Sequence, residues 1–364
     1  MNNNRISLSV TNIVLLVILP LMLILLWQLR SLIVVLMVAV VIAATLAPLV
    51  DTTQKLGVPR FLAVLLIYAG LIGTLTVFGI IIGPTVAEQI QRLIGKLPVY
   101  LEALRSLLSD LILRFGMDDT AAPDLINQIL DVQGLISWAI RSSQQLVIRS
   151  YSVTRGIIGS VFGALLALLL SAYMVSNSRQ LLRDIINLFP APWNQRLAAQ
   201  IQPVGKRMGG YIQGRILVSG ILGVLISVSL RFLGLSELAL GLGVIAGFTN
   251  LIPFFGPVLG AIPALIVAVS QGGLTFVWVL LLFTIVQNLE TYVLDPLLVG
   301  NSVKVSPLYQ LLAVLGGAQV LGIIGALIVP PWVAGTGVLL ENLYIKPKLI
   351  TEGQYNLSDG SHQN

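Results

Sequence analysis

Residues 250–260 read NLIPFFGPVLG, and they lie inside a long apolar run: 238–248 is apolar before them and 261–269 after them. A chain in lipid defaults to helix, because no water is present to satisfy free backbone groups. Asn250, Pro253, Gly256 and Pro257 arrive together where a helix is least served by them. A helix broken at that depth needs a reason.

The run is not isolated. The 364 residues are 56% hydrophobic and 10% charged, against about 25% charged in a soluble domain. The chain is therefore expected to be an all-α polytopic membrane protein. Segments 13–27, 32–50, 61–83, 156–175, 216–234 and 274–291 are long enough, or nearly so, for a ~30 Å hydrocarbon layer. The broken run 238–270 and the last run 308–329 bring the expected count to about eight, the C-terminal ones broken or re-entrant. The first run reads as a span, since no small-residue cleavage pattern directly follows it.

Several chemistries are excluded. There is no Cys, and the only His is His362, in a polar tail. Disulfides, thiolate metal sites, a His-based zinc site and a catalytic triad have no residues to form them in the body. HExxH and GxxxxGK[ST] are both missing, so direct ATP drive is not indicated. No enzyme activity, cofactor or metal is expected. The net charge of +6 reads as membrane orientation rather than as a nucleic-acid surface.

Residues 84–155 hold seven Lys and Arg against seven Asp and Glu, whereas 177–215 hold six basic residues against Asp184 alone. Basic residues in short loops mark the cytoplasmic side. The N-terminus is then inside, 84–155 outside, and eight crossings return the C-terminus inside. The expected division is spans one to three at 1–83, an external amphipathic region at 84–150 and span four at 151–176. A basic cytoplasmic amphipathic loop follows at 177–215, then a broken-helix transport core at 216–343 and a polar tail at 344–364.

In the external region Ile90, Ile94, Leu97, Leu101, Leu104, Leu108, Leu111 and Phe115 repeat at 4,3,4,3,4,3,4, the seam of a packed helix. Pro98 is expected to kink it. A second stripe follows at Leu125, Ile129, Val132, Ile136 and Ala139. In the basic loop, Trp193, Leu197, Ile201, Val204, Met208 and Tyr211 predict an amphipathic helix lying against anionic lipid.

A second interruption, QNLETYVLDPLLVGNSVKVSP at 287–307, follows the next span. Pro296 and Gly300 answer Pro253 and Gly256. Each break reads either as a structural kink or as a site. Two clusters with Pro, Gly and polar side chains favour a site, because half-helix ends bind ions or polar solutes with partial charges. Counted from Leu274, Gln287 is about 20 Å and Asp295 about 32 Å along a helix. Gln287, Asn288 and Glu290 are thus the better candidates for a buried cluster, and Asp295 falls near the interface. Lys304 is a candidate partner for either acid. Gly316, Gly317, Gly322 and Gly325 in the last run read first as packing residues.

GFTNLIPFFGPVLGAIP (247–263), QNLETYVLDPLLVG (287–300), VSPLYQLLAVLGG (305–317) and GIIGALIVPP (322–331) together resemble the autoinducer-2 exporter family of bacterial permease-like proteins. The resemblance implies export of a small signalling molecule, links to sodium or proton antiport, and a homo-oligomer, a pentamer, whose broken-helix core moves against a scaffold. The expected protein is a multi-pass transporter of the bacterial cytoplasmic membrane for a small polar solute. H⁺ and Na⁺ are its candidate coupling ions, and Glu290 is the first coupling residue to consider. The alternatives are a cation/proton antiporter or channel and, from another class, a non-transporting scaffold or assembly factor.

Overall fold

The computed structural model describes residues 18, 20–22, 24, 25, 27–114, 134, 150–300 and 306–353. Most of the first expected span, the stripe from Leu125 to Ala139, Lys304 and His362 lie outside the described residues. The described residues are helical and contain no strand.

Helices α1 (Arg30–Lys55) and α2 (Arg60–Arg114) come first. α2 is 55 residues long and passes through Pro84 and Pro98 without ending; at 1.5 Å per residue it measures about 82 Å. Span three and the stripe from Ile90 to Leu111 therefore lie on one helix, because an interior Pro removes one backbone bond and the ladder resumes beyond it; Phe115 lies outside the described residues. α3 (Ser150–Ser176) is followed by α4 (Ser178–Asn187), and the two are bent by 82°. Arg60 holds that elbow. Its Nε and Nη2 donate to Val175 O at 2.9 and 2.7 Å, and Nη2 also reaches Ser178 Oγ at 2.8 Å. A guanidinium thus satisfies a carbonyl left open at the helix end. Around it Leu46, Val50, Ala63, Val64, Tyr68 and Val175 make one small core.

α5 (Trp193–Phe232) is a single helix of 40 residues. The expected interfacial helix at 193–211 is its first half, continuous with span five. Met208 and Tyr211 are buried against neighbouring helices, so this end of the stripe faces protein, not lipid headgroups. α5 is the axis of the second, larger core. Lipid tails are as apolar as Leu, so close helix approach depends on small residues. A Cβ on Gly209 would strike Ala44 of α1, and one on Gly223 would stand 3.2 Å from Gly243 O.

The broken run becomes two short helices, α6 (Ala239–Thr249) and α7 (Phe255–Ser270). α6 has 11 residues, about 16 Å, too short for a ~30 Å layer. A Cβ on Gly260 would meet Ala246 Cα at 2.7 Å, and one on Gly256 would meet Asn250 Cα at 2.6 Å. Those pairs place α7 antiparallel on α6, so 239–270 is a re-entrant hairpin with its tip at 250–254. Leu93 and Tyr100 of α2 join the same core, and the Gly241 amide donates to Gln89 at 2.6 Å. This stretch of α2 thus meets the hairpin through Gln89, Leu93 and Tyr100, which lie beside the seam positions rather than on them.

α8 (Gly273–Leu289) runs on into a π-helical segment, Glu290–Val299. The last helix, α9 (Pro307–Leu340), contains Gly322 at φ 65° and ψ −151°. The backbones of Gly317 and Gly325 touch, although eight residues of straight helix would separate them by about 12 Å. α9 is therefore a second hairpin with arms 307–321 and 323–340. Gly322 occupies a backbone region open to little else. Beyond it lie a short π turn (Glu341–Ile345) and α10 (Lys346–Thr351).

The hairpins enter from opposite ends of α5. Along the first, Gly243 sits against Ser227 and Gly247 against Ser219, so its tip points toward the Trp193 end. Along the second, Gly335 sits against Met208, and Asn342 donates to Gln200 at 2.7 Å. Its tip therefore lies about 20 Å from Gly335 toward the Phe232 end, near the level of Ser219. Five helices among the described residues are long and apolar enough to cross a membrane, or six if α3 and α4 count as one broken span. One of the five is the doubled-back α9. The expected count of about eight also included the first run, most of which lies outside the described residues, and the run 238–270, which turns back as two short helices.

Candidate functional site

α5 carries Arg215 eight residues beyond Arg207 and sixteen before Arg231. At helical rise those separations are about 12 and 24 Å, which sets Arg215 inside the hydrocarbon depth. It is 5% exposed. A charge there is costly unless it is paired. Arg215 Nη1 donates to Glu290 Oε1 at 2.9 Å and lies 3.4 Å from Asp295 Oδ1. Asn250 Nδ2 donates to the same Glu290 oxygen at 3.1 Å. Glu290 and Asn250 are 3% and 2% exposed, while the Asp295 side chain is 41% exposed. The tip of the first hairpin, the middle of α5 and the π segment thus converge on one carboxylate.

The π segment explains how both acids reach one arginine. At 3.6 residues per turn, positions five apart point in different directions. The wider i→i+5 turn brings them close to one face. Pro296 lies inside the segment, and the Gly300 amide donates to Asp295 O at 2.7 Å, a five-residue closure. The chain at 290–299 widens but stays helical through Pro296. Gly300 follows with φ −56°, and a Cβ there would stand 2.8 Å from Pro296 O, so its glycine permits a close approach. At the tip of the first hairpin the chain does leave the helix. Phe254 has φ 65° and ψ −46°, with the Phe255 amide bonded to Pro253 O at 2.8 Å. This is the strained γ-turn. Strain of this kind persists only where surrounding structure enforces it.

Beside the carboxylate is a cavity of about 350 Å³ between α5, the first hairpin and α8. Asn250, Pro257, Gln287, Asn288 and Glu290 all line it. Gln287 and Asn288 are exposed rather than buried. They bond along their own helix, Gln287 Nε2 to Thr291 Oγ1 at 3.3 Å and Asn288 Nδ2 to Thr284 O at 2.7 Å. Pro253, Gly256, Asp295, Pro296 and Gly300 do not line it. Gly256 instead lets α7 approach Thr249 and Asn250.

The sequence reading missed Arg215, which it placed in the basic loop. A signal was present. The stripe Val204, Met208, Tyr211 continues at the same spacing through Arg215, Val218, Leu222, Ile226 and Leu230, all buried from Met208 onward. A lone Arg on the apolar face of a helix needs an acidic partner. Among the described residues three buried side-chain polar atoms have no hydrogen-bond partner, and all are here: Arg215 Nε, Ser219 Oγ and Asn250 Oδ1.

Known proteins resemble this chain over most of its length. Residues 16–345 match the model of the AI-2E family transporters. YrrI of Bacillus subtilis is 30% identical over 321 residues, covering 85% of this chain and 86% of its own length. MT0215 of Mycobacterium tuberculosis is 29% identical over 325 residues, covering 88% and 86%. YhhT of Escherichia coli is 25% identical over 322 residues, covering 85% and 84%. Each is provisionally named a transport protein. The chain is a multi-pass membrane protein and belongs to the AI-2E family of transporters.

Proposed function

We propose that the protein exports a small solute bearing a polar group, through the cavity beside Glu290, with the two hairpins as the gating elements. The observation that carries this reading is their opposition. One hairpin enters from each end of α5, and both tips end at about the level of the buried Arg215–Glu290 pair. Irregular backbone at membrane depth is tolerated where protein encloses it or a wet cavity adjoins it. Opposed entries give each membrane face its own movable element, as alternating access requires.

Glu290 is the coupling residue in this reading, and H⁺ or Na⁺ the coupling ion. Asn250 on the first hairpin binds the same Glu290 oxygen as Arg215, so a change in occupancy at Glu290 is felt at the gate. The chain lies in the bacterial cytoplasmic membrane with both termini inside. The two re-entrant hairpins subtract two crossings from eight and leave that parity unchanged. The protein works as a homo-oligomer, a pentamer, in which the core around α5 moves against α1–α3. A second reading, cation exchange without an organic solute, is favoured by one observation: Arg215, Glu290 and Asp295 bring one base against two acids.

Vesicle flux tests both. Purified protein in sealed vesicles is expected to accelerate release of a loaded signalling solute over protein-free vesicles, and Glu290→Gln is expected to remove most of that acceleration. Proton or sodium movement without any solute flux selects the second reading. A correctly assembled protein that moves neither leaves the scaffold role.

A further inference from the structure

Most of the cavity wall is apolar: Leu222, Ile226, Leu265 and Phe283 offer no hydrogen bonds. Of the polar lining residues, Thr284, Gln287 and Asn288 bond within their own helix, which leaves Asn250 and Glu290 as the buried polar end. At about 350 Å³ the cavity sits at the small end of ligand pockets, which run about 300–1,000 Å³. A polyhydroxylated solute fits such walls poorly, since each hydroxyl buried without a partner costs about 1–3 kcal/mol.

At the polar end the chemistry has a sign. Glu290 Oε1 accepts from both Arg215 and Asn250, and among the described residues no hydrogen bond reaches Oε2. A carboxylate only accepts, so the Asn250 amide must turn its NH₂ toward Glu290. Its Oδ1 is left as a buried acceptor with no donor. That atom calls for an N–H, an O–H or a cation. Arg215, Glu290 and Asp295 add a formal excess of one negative charge among the described residues. Arg215 Nε and Ser219 Oγ are unpartnered too, but neither residue lines the cavity, so neither sets what the cavity accepts.

From this geometry we propose that the cavity binds a small organic ammonium ion with an apolar body. Its N–H groups donate to Asn250 Oδ1 beside Glu290, and its hydrocarbon lies against Leu222, Ile226 and Phe283. The proposal rests on the transport reading only in taking this cavity as the solute site, and it narrows the solute from polar to amphiphilic and cationic.

The test uses the full-length protein in nanodiscs of zwitterionic lipid and three probes: 2-phenylethylammonium, 3-phenylpropanoate and the polyol ribitol. The ammonium ion is expected to raise the melting temperature in a saturable way, while the anion and the polyol leave it unchanged. Asn250→Ala, which removes the acceptor, is expected to weaken ammonium binding by about tenfold or more, as a hydrogen bond to a charged group implies. Ala261→Phe fills the cavity without touching the polar end and is expected to abolish the shift. Should one variant fail to fold, the other still decides. Equal shifts from anion and cation, a shift from ribitol alone, no shift from any probe, or an ammonium shift that survives the variants each overturn the proposal. Solute flux in vesicles without ammonium binding removes this proposal and keeps transport. Ammonium binding without flux of any solute removes the transport reading and keeps the site.

Discussion

Arg215 and Glu290 make the strongest claim that can be tested by substitution. Both are nearly fully buried, with 2.9 Å between Nη1 and Oε1. Removing one member of a buried pair costs about 3–5 kcal/mol, because the other stays desolvated and unpaired. The two deletions should not be equal. Glu290→Gln leaves Arg215 its 3.4 Å contact with Asp295, so its loss falls near the lower limit. Arg215→Met leaves Glu290 only the Asn250 amide, with Asp295 nearby, and falls near the upper one. At about 2 °C per kcal/mol, the lower end for large domains, the melting temperature drops by roughly 6–10 °C. The double variant Arg215→Met with Glu290→Gln removes both charges and should recover most of that loss, since an ion pair exchanged for neutral groups of similar volume is often neutral. Melting of the purified protein in neutral detergent, for wild type, both singles and the double, completes the cycle. Strict additivity, with the double as low as the two losses summed, would show that the charges are not coupled and that the site is not built on this pair.

The chain has no Cys, which makes engineered thiols informative. Ala246→Cys with Gly260→Cys is expected to form a disulfide on oxidation, since a Cβ at Gly260 stands 3.1 Å from Ala246 Cβ, close to the ~3.5–4.5 Å a disulfide takes. A straight span would hold these residues about 21 Å apart, so absence of the cross-link refutes the first hairpin. Gly317→Cys with Val329→Cys tests the second in the same way, from a contact of 3.0 Å to the Val329 side chain. Ser109→Cys is expected to label from outside and Ala198→Cys only from inside; labelling of both from one side overturns the orientation. Gly256→Val is expected to destabilise by more than the ~1–3 kcal/mol of ordinary overpacking, because the new side chain meets backbone of Thr249 and Asn250; unchanged melting would mean the two arms do not touch.

The sequence made the membrane class plain, since 10% charged residues leave little else. The first break was also legible, because Asn250, Pro253, Gly256 and Pro257 cluster within eight residues; the first two fall in the hairpin tip and the last two open α7. Its direction was not. Hydropathy counts apolar residues and does not say whether the chain continues or turns. The second hairpin was harder still. Gly322 turns with no proline beside it, and among Gly316, Gly317 and Gly325 it looks like one more packing residue; a positive φ leaves no mark in composition. Glu290 was found by counting depth from the start of its span. Its tie to Asp295 was hidden because an α-helical count points the two acids apart, and only the π register brings them together. Arg215 was misplaced because it ends a basic stretch that obeys a loop rule, although it also continues a buried stripe.

The 75 residues between Arg215 and Glu290 have a consequence for biosynthesis. The chain emerges N-terminus first, at about 5–20 residues per second. α5 is therefore made roughly 4–15 s before the acid that neutralises its arginine. During that interval the guanidinium has no counter-charge from the π segment. The first hairpin is synthesised in the same gap, with Asn250 in place before Glu290 arrives. Insertion thus ends with a closing event. Only when the π segment is in place can the two acids meet the arginine, and the hairpin tip binds through Asn250 to the same Glu290 oxygen. A nascent chain that stops short of Glu290 holds every apolar stretch of this core up to α8 and still lacks the residue that sets its depth.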